Sequence, residues 1–283
     1  MKGLQIYVPA APLNRFIAYF WLLPAYLPGH PWERILPQGS LELGLNLGPT
    51  PFLLVQHTTL NQQVIEGFLV SGLHTQPYFV STATAIDLLC VYFKPGQASA
   101  LLGYPAHELF MQHLPLEVLW GKPAALWAEQ LRETYARSGA QACFRVLEKL
   151  LLKRLGQVSV GLRPKQERLQ LALQSLNNTE ARPRVRQVCE RLEMSTPQLI
   201  RYFQTHLGLR PKAYQRVIRL QQLLAGVSQS AGVRNWAELA YTFGYSDQAH
   251  LNHEFLYLTG LTPSAYAPQD PIHLLNLPCQ TPV

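Results

Sequence analysis

Cysteine is scarce in this sequence of 283 residues, and its placement excludes several kinds of site. The four cysteines lie far apart and form no Cys-x2-Cys pair, at Cys90, Cys143, Cys189 and Cys279. This scattering argues against a disulfide framework or a zinc ribbon, and it favours a reducing cytoplasm. We therefore expect a cytoplasmic protein with no structural metal.

Signals for catalysis, membranes and secretion are missing too. The sequence holds no HExxH pattern, no Gly-rich phosphate loop and no Ser/His/Asp set that spacing reveals. Its most apolar run, 16–28, contains two prolines and is too short to span a bilayer. Asn14 and Arg15 interrupt the apolar N-terminus, which argues against a signal peptide. No cofactor, metal ion or membrane partner is expected.

Acidic residues are too few to balance the basic ones, and the imbalance is local. The chain carries 24 Lys and Arg against 17 Asp and Glu, a net charge of +7. Residues 1–162 hold eleven basic and nine acidic residues, whereas 163–267 hold thirteen and seven. The stretch from Arg182 to Arg219 alone has nine basic residues and two acidic ones. Positive charge concentrated in this way favours an anionic partner such as nucleic acid.

A seven-residue phrase occurs twice in the second half of the chain, at an offset of 52 residues. Residues 208–214 read GLRPKAY, and residues 260–266 read GLTPSAY. The match continues upstream at the same offset, in the pairs Leu199/Leu251 and Phe203/Phe255. A period of this length indicates a repeated supersecondary unit.

The first copy predicts two helices joined by a short turn. Leu199 and Phe203 are four residues apart, so they share one face of a helix. Ser195 is the expected N-cap of that helix, and Gly208 is the expected left-handed residue at its end. A shorter amphipathic stretch precedes it, over 184–192.

The second copy repeats this arrangement. Gly244 can take positive φ in the turn, and Ser246 is the expected cap of the next helix. The pattern therefore predicts helix-turn-helix units at about 182–208 and 234–260, with a linking helix over 211–224.

The motif in the second copy is specific enough to suggest a family. It reads Ala240-x3-Gly244-Tyr245-Ser246-Asp247-Gln248-x2-Leu251-x3-Phe255-x4-Gly260-x-Thr262-Pro263-x2-Tyr266. This series resembles the DNA-binding domain of the AraC/XylS family of bacterial transcription regulators, and the resemblance covers about 163–267. It implies two reading helices, the second helix of each unit, held about one turn of DNA apart, roughly 34 Å.

The outward positions of the two reading helices are the candidate DNA contacts. The resemblance implies that Pro197, Ile200 and Arg201 lie near the bases. A guanidinium such as that of Arg201 can pair with guanine or bind a phosphate, and Gln and Asn can pair with adenine. The candidate DNA-binding residues are Ser195, Thr196, Pro197, Gln198, Ile200, Arg201, Lys212, Arg216, Gln248, Ala249, His250, Asn252 and His253.

The two copies differ in charge. His253 stands where the family usually has arginine, and Leu256 where it usually has lysine. Residues 220–267 carry one basic residue against three acidic ones. We therefore expect the first copy to supply most of the affinity. The run His250-x2-His253-Glu254 is read as part of a DNA-facing helix rather than a metal site, because it lacks the HExxH arrangement.

The first half of the chain predicts short strands followed by helices. Runs rich in β-branched and aromatic residues, divided by turn residues, occur at 16–23, 41–47, 52–55, 63–70, 76–82 and 85–93. This spacing favours an antiparallel barrel or sandwich. Helical patterns follow at 98–102, 105–110, 123–137 and 140–155, and the linker is expected at 156–161.

Three short motifs in this half are Leu36-Pro37-x2-Ser40-Leu41-Glu42-Leu43-x2-Asn46-Leu47-Gly48, Phe93-Lys94-Pro95-Gly96 and Leu114-Pro115-Leu116-Glu117-x2-Trp120-Gly121. They resemble the uncharacterised N-terminal domain found on many AraC-type regulators. The resemblance implies a sensor or oligomerisation domain. Aromatic residues on its strands are candidates for the wall of a ligand pocket, with ordinary core packing as the alternative: Trp21, Trp32, Tyr78 and Tyr92.

Taken together, the sequence predicts a two-domain α+β protein. Residues 1–160 form an antiparallel β-barrel or sandwich with following helices, 161–267 form an all-α domain with two helix-turn-helix units, and 268–283 form a loose Pro-rich tail. The predicted function is sequence-specific DNA binding in transcription regulation. The expected partners are double-stranded DNA, a small-molecule effector or partner protein, RNA polymerase and a second copy of the chain. The alternative is an enzyme that converts a small molecule, fused to a DNA-binding domain.

Overall fold

The computed structural model describes residues 3–157, 163–178, 183–229, 235–266 and 276–282. The N-terminal half is built from antiparallel strands in two sheets. The strands are β1 (Gln5–Tyr7), β2 (Ile17–Tyr26), β3 (Trp32–Ile35), β4 (Glu42–Asn46), β5 (Phe52–Gln56), β6 (Gln62–Ile65), β7 (Phe68–Ser71), β8 (Tyr78–Ser81), β9 (Ile86–Phe93) and β10 (His113–Pro115), joined by β11 (Asn276–Cys279) from the C-terminal end.

The two sheets face each other and do not close into a barrel. The first has the order β1-β2-β9-β4-β7-β10, and the second has the order β11-β3-β8-β5-β6. Of the two expected architectures, the sandwich is therefore the observed one.

Helices cover the outer face of the first sheet and then form the second half of the chain. They are α1 (Ala98–Leu102), α2 (Glu117–Trp120), α3 (Lys122–Gln157), α4 (Arg163–Leu176), α5 (Val185–Arg191), α6 (Thr196–Leu207), α7 (Pro211–Gln229), α8 (Trp236–Thr242) and α9 (Gln248–Thr259). A 3-10 turn at Ala106–Leu109 follows α1. None of the described helices combines the length and apolar character that crossing a membrane requires.

One continuous core joins the two halves. A single cluster of buried apolar residues contains Phe20 and Val91 of the first sheet, Leu169 of α4, and Leu199 and Phe255 of the reading helices. A second, smaller cluster lies between the two sheets and includes Phe52 and Leu69. Because the first sheet packs against helices on one face and against the second sheet on the other, both of its faces lie inside the protein.

The prediction of a single strand over 63–70 is wrong. The segment forms two strands, β6 in the second sheet and β7 in the first. Gly67 between them has φ +71°, a left-handed conformation that glycine adopts without strain. The chain turns there and crosses from one sheet to the other.

The helical region after the sheets is broken where the sequence predicts a gap between two helices. The predicted helices at 123–137 and 140–155 correspond to α3, whose helical geometry breaks at Gly139 with φ 71° and ψ −171°. The expected linker at 156–161 begins inside α3 and then lies outside the described residues. Leu169 of α4 packs close to Gly96 of the N-terminal half, so the chain returns to the first half directly after this linker.

The tail is not loose throughout. Asn276–Cys279 pairs antiparallel with β3, with Leu277 opposite Arg34. A strand that lacks hydrophobic alternation and contains a proline gives little sequence signal, which explains why it was not predicted. Residues 268–275 and 283 of the predicted tail lie outside the described residues.

Candidate DNA-binding surface and ligand cavity

The first helix-turn-helix unit has the predicted local chemistry. Ser195 caps α6 and accepts a hydrogen bond from the backbone N–H of Gln198, whose side chain accepts in return from the backbone N–H of Ser195 at 2.9 Å. This reciprocal capping box satisfies two backbone donors at the helix start. Gly208 ends the helix in the left-handed conformation at φ +84°. The turn before α6 contains Glu193, which also has positive φ, at 51°.

The second unit has the same architecture with a different cap. Asn235 caps α8, and Gly244 takes φ +75° in the turn. The side chain of Asp247, and not that of Ser246, caps α9 by accepting from the backbone N–H of His250 at 2.7 Å. The prediction that Ser246 caps this helix is therefore wrong by one residue. The carboxylate is the stronger acceptor, and Ser246 instead bonds to the His250 ring.

The candidate DNA contacts differ in how far they are available to a partner. Thr196, Pro197, Gln198 and Arg201 are exposed on α6, as are Gln248, Ala249, Asn252 and His253 on α9, with Ser195 beside them and Ile200 and His250 half-buried. Three of these side chains already have local partners. Ser195 and Gln198 form the capping box, and the Nδ1 atom of His250 accepts from the backbone N–H of Ser246 at 3.2 Å. Their roles are at least partly structural.

The linking helix α7 supports the second reading helix through charge. Arg216 donates to the Glu254 carboxylate at 2.6 Å and lies over the Tyr257 ring, 4.6 Å from its centroid. Arg219 lies over the ring of Tyr245 at 5.2 Å. Arg216 is thus a positioning residue for α9, whereas Lys212 at the start of α7 is exposed. The sequence pattern assigned these contacts to neither Arg216 nor Arg219.

Both reading helices are fixed at their C-terminal ends by the N-terminal half. The Nδ1 atom of His206, near the end of α6, lies 3.0 Å from the hydroxyl of Ser99 on α1. At the end of α9, Arg34 of β3 donates from Nη1 to the carbonyl oxygens of Thr259 at 3.1 Å and Gly260 at 3.0 Å. Their N-terminal ends, which carry most of the candidate DNA contacts, point away from these anchors and are exposed.

A cavity of about 420 Å³ lies between the two sheets. Trp21, Tyr78 and Tyr92 belong to its wall, as the sequence analysis anticipated for a ligand pocket, but Trp32 does not. The alternation of side chains along β3 explains the exception. Glu33 and Ile35 line the cavity, so Trp32 and Arg34 lie on the opposite face of the sheet.

The cavity also contains an acidic residue that the sequence analysis did not single out. Glu42 on β4 accepts a hydrogen bond from the indole Nε1 of Trp21 at 3.1 Å. Burial raises the pKa of Glu42 to about 7, although hydrogen bonds from Trp21 and Gln38 oppose this shift. The alternation Leu41-Glu42-Leu43 suggests a solvated face for Glu42. Here that face is turned towards the second sheet.

Comparisons with known proteins agree with this arrangement. A domain of unknown function (DUF6597) matches residues 5–115, and a helix-turn-helix domain matches residues 188–269. No match is found among curated proteins. The chain is similar to ToxT from Vibrio cholerae, with 12% identity, a TM-score of 0.49 and coverage of 87% of this chain and 97% of ToxT.

Two further solved structures are similar over most of their length. ToxT bound to (E)-4-(8-methylnaphthalen-1-yl)but-3-enoic acid is 12% identical, with a TM-score of 0.48 and coverage of 94% of this chain and 98% of ToxT. The AraC-like transcriptional activator CuxR is 15% identical, with a TM-score of 0.25 and coverage of 77% and 86%. The repeated motif, the two helix-turn-helix units and the family match lead to one conclusion: the chain belongs to the AraC/XylS family of DNA-binding transcription regulators and carries an N-terminal domain of unknown function.

Proposed function

We propose that this protein regulates transcription in the cytoplasm by inserting α6 and α9 into two successive major grooves of one DNA site. The observation that carries the proposal is that each of these helices is anchored at one end and exposed at the other. Each has its C-terminal end anchored on the N-terminal half, through Ser99 or Arg34, and presents its N-terminal end outward. Helix N-termini favour contact with phosphates, and outward side chains can reach base edges.

The charges support unequal contributions of the two units to DNA affinity. Arg201 and Lys212 are exposed on the first unit and the linking helix. Arg216 of the linking helix is engaged by Glu254 of the second unit, so it adds little free positive charge to that surface. Phosphate contacts supply much of the affinity, while base contacts supply selectivity. We therefore assign most of the affinity to α6 and a smaller, selective contribution to α9.

Control by an effector in the cavity forms the second part of the proposal. Gln221 and Leu224 of the linking helix contribute to the cavity wall. The same helix packs tightly on the loop before β4, because Gln221 donates to the Pro37 carbonyl at 3.3 Å and a Cβ on Gly39 would meet Ile218 at 2.7 Å. A ligand in the cavity therefore contacts the helix that sets the spacing of the two reading helices.

Strand β3 offers a second connection between cavity and DNA surface. Glu33 and Ile35 face the cavity, and Arg34 between them holds the end of α9. If ligand binding shifts β3, Arg34 would transmit the shift to the C-terminal end of α9. Coupling of this kind requires a ligand that binds the two arrangements with different affinity.

The test measures binding of the purified protein to DNA by fluorescence anisotropy, on a site first selected from random DNA. Log K should fall linearly with log salt, by about 0.9 per neutralised phosphate. Affinity that does not respond to salt, or equal affinity for selected and scrambled DNA, would contradict the proposal. Mass spectrometry of a bound ligand after incubation distinguishes a regulator from the alternative, an enzyme. A regulator leaves the mass of the ligand unchanged, whereas an enzyme converts the ligand into a product. Contacts with a second copy or with RNA polymerase stay predictions from the sequence.

A further inference from the structure

The cavity wall on the first sheet is ordered in rows by the strand register. One row crosses four strands and is polar, with neighbours paired in the order Tyr19, Tyr92, Glu42 and Ser71. The row two residues along consists of Trp21, Cys90, Gly44 and Leu69. The next contains Leu23 opposite Leu88. All ten residues line the cavity, so its wall on the first sheet is polar at Glu42 and apolar at Leu23 and Leu88.

Glu42 has no cationic partner among the described residues. Two carboxyl groups line the cavity, and none of the other described residues in its wall is Lys, Arg or His. The second carboxyl group, that of Glu33, is engaged by the Tyr26 hydroxyl, by Asn276 at 3.1 Å and by His30 at 3.5 Å. Within the described part of the chain, Glu42 is hydrogen-bonded only by neutral groups, those of Trp21 and Gln38. A carboxylate inside a protein is unfavourable unless a positive charge or several donors compensate it.

Aromatic rings surround the same carboxyl group. Tyr19 and Tyr92 stack with centroids 5.2 Å apart, and Tyr92 is the direct neighbour of Glu42 across the strands. Aromatic faces attract cations, and rings combined with a carboxylate are a recognised means of binding ammonium groups. A carboxylate ligand would find no positive partner in the described wall and would be repelled by ionised Glu42.

We propose that the cavity binds an amphiphilic amine, with its protonated nitrogen against Glu42 and its apolar part extending towards Leu23 and Leu88. The ligand supplies the positive charge that the cavity wall does not. This inference rests on the proposed function, because it names the chemical class of the effector, and the two are tested by separate measurements below.

The experiment uses three probes that share a 4-phenylbutyl group and differ in the polar group attached to it: 4-phenylbutylamine, 4-phenylbutan-1-ol and 5-phenylpentanoate. Binding to the full-length protein is measured at pH 8 by calorimetry. At this pH most Glu42 is ionised, since its pKa is raised to about 7 by burial. The amine should bind at least tenfold more tightly than the alcohol or the carboxylate.

Two variants with the same chemical change separate the role of Glu42 from that of charge in general. Glu42→Gln keeps the shape and the acceptor but removes the charge, and it should bring the amine and the alcohol within about threefold of each other. Glu66→Gln changes an exposed residue outside the cavity and should keep the full preference. Thermal melting establishes that both variants are folded.

A third variant tests the cavity itself. A Cβ at Gly44 would meet Phe52 at 3.6 Å, which is ordinary contact, so Gly44→Val fits the backbone while filling space in the middle row. It should weaken all three probes while the amine stays the tightest. If Glu42→Gln does not fold, this variant still decides whether the probes occupy the cavity.

The proposal is overturned if the carboxylate binds wild-type protein as tightly as the amine, or if the amine does not bind. It is also overturned if Glu42→Gln keeps the preference or if Gly44→Val leaves amine binding unchanged. DNA affinity is measured on the same preparations without probe. Intact DNA binding with no amine preference rejects only the ligand class, whereas loss of specific DNA binding in wild-type protein rejects the proposed function.

Discussion

Arg34, buried on β3, donates a hydrogen bond of 3.0 Å to the backbone carbonyl of Gly260, the residue at which the second reading helix ends. The two residues are 226 positions apart in the sequence. A guanidinium at this end of a helix satisfies carbonyl groups that lack intrahelical partners, and it interacts favourably with the helix dipole. This contact fixes one end of the DNA-binding surface to a strand that also lines the cavity.

Replacing Arg34 should therefore destabilise the protein and weaken the link between its halves. Arg34→Ala should lower the free energy of unfolding by about 1.5–3 kcal/mol, the range for hydrogen bonds to charged groups. Urea melts measure this. The matched control is Arg137→Ala, because Arg137 forms an exposed pair with Glu133 at 2.9 Å and should contribute less than about 1 kcal/mol. Equal losses in the two variants would contradict the assigned role.

Arg201 is the best candidate for a base contact on the first reading helix. Arg201→Ala should weaken specific DNA binding by about 1–3 kcal/mol and relax the preference at one base-pair position. Site selection repeated with the variant reports both effects. Arg15→Ala, an exposed arginine of the N-terminal half, serves as control and should leave the selected motif and affinity intact. An unchanged motif with Arg201→Ala would show that this residue does not read a base.

The two reading helices should contribute unequally to affinity. One double variant carries Thr196→Ala and Arg201→Ala, and the other carries Gln248→Ala and Asn252→Ala. Gln198 and His250 are left intact because both have local hydrogen bonds that support the helix starts. On one selected site, the first variant should lose clearly more affinity. An equal loss, or a larger loss from the second variant, would contradict this order and show that the side chains of α9 contribute at least as much affinity as those of α6.

Glu42 should make the protein less stable as the pH rises. Burial raises its pKa from 4.5 to about 7, so the native state holds this proton at pH values where the unfolded chain has released it. The unfavourable contribution grows between about pH 4.5 and 7 and is complete above that range. The neighbouring titratable groups stay neutral over most of this range. Burial raises the pKa values of Tyr19, Tyr78, Tyr92 and Cys90, and it lowers the pKa of His74, which lines a small pocket together with Glu42, to about 4.

Glu42→Gln should consequently stabilise the protein at pH 8, by up to about 3 kcal/mol at 1.36 kcal/mol per pKa unit, and have little effect near pH 4. Chemical denaturation at the two pH values tests this, with Glu66→Gln as the exposed control. A stability gain that is equal at both pH values would contradict the shifted titration. A residue that serves ligand binding can destabilise the protein without its ligand. A gain in stability when Glu42 is removed is therefore also expected from a binding role.

The sequence was most informative where local chemistry decides the structure. Ser195, Gly208 and Gly244 occupy the predicted cap and turn positions because hydrogen bonding and allowed φ values are properties of a few neighbouring residues. The repeated motif then placed both units in one domain. The Ser246 prediction failed because two adjacent capping residues compete, and spacing alone does not rank Ser246 against Asp247.

Long-range contacts were beyond the sequence pattern. The strand 63–70 was expected as one element because apolar and β-branched residues lie on both sides of Gly67, and only the pairing of β6 and β7 shows that they belong to different sheets. The sequence pattern predicted no strand at Arg34 and assigned a role to neither Arg34 nor Glu42. Their partners lie on α9 and in the facing sheet, so their roles depend on how the layers stack.

The most direct test of the account is a hydroxyl-radical footprint of the full-length protein on its selected DNA site. Two reading helices in successive major grooves predict two protected stretches on one face of the duplex, centred about 10 base pairs apart. The stretch that loses protection in Arg201→Ala should be the one contacted by α6. A single protected stretch, or two stretches on opposite faces of the DNA, would contradict the placement of α6 and α9 in successive grooves.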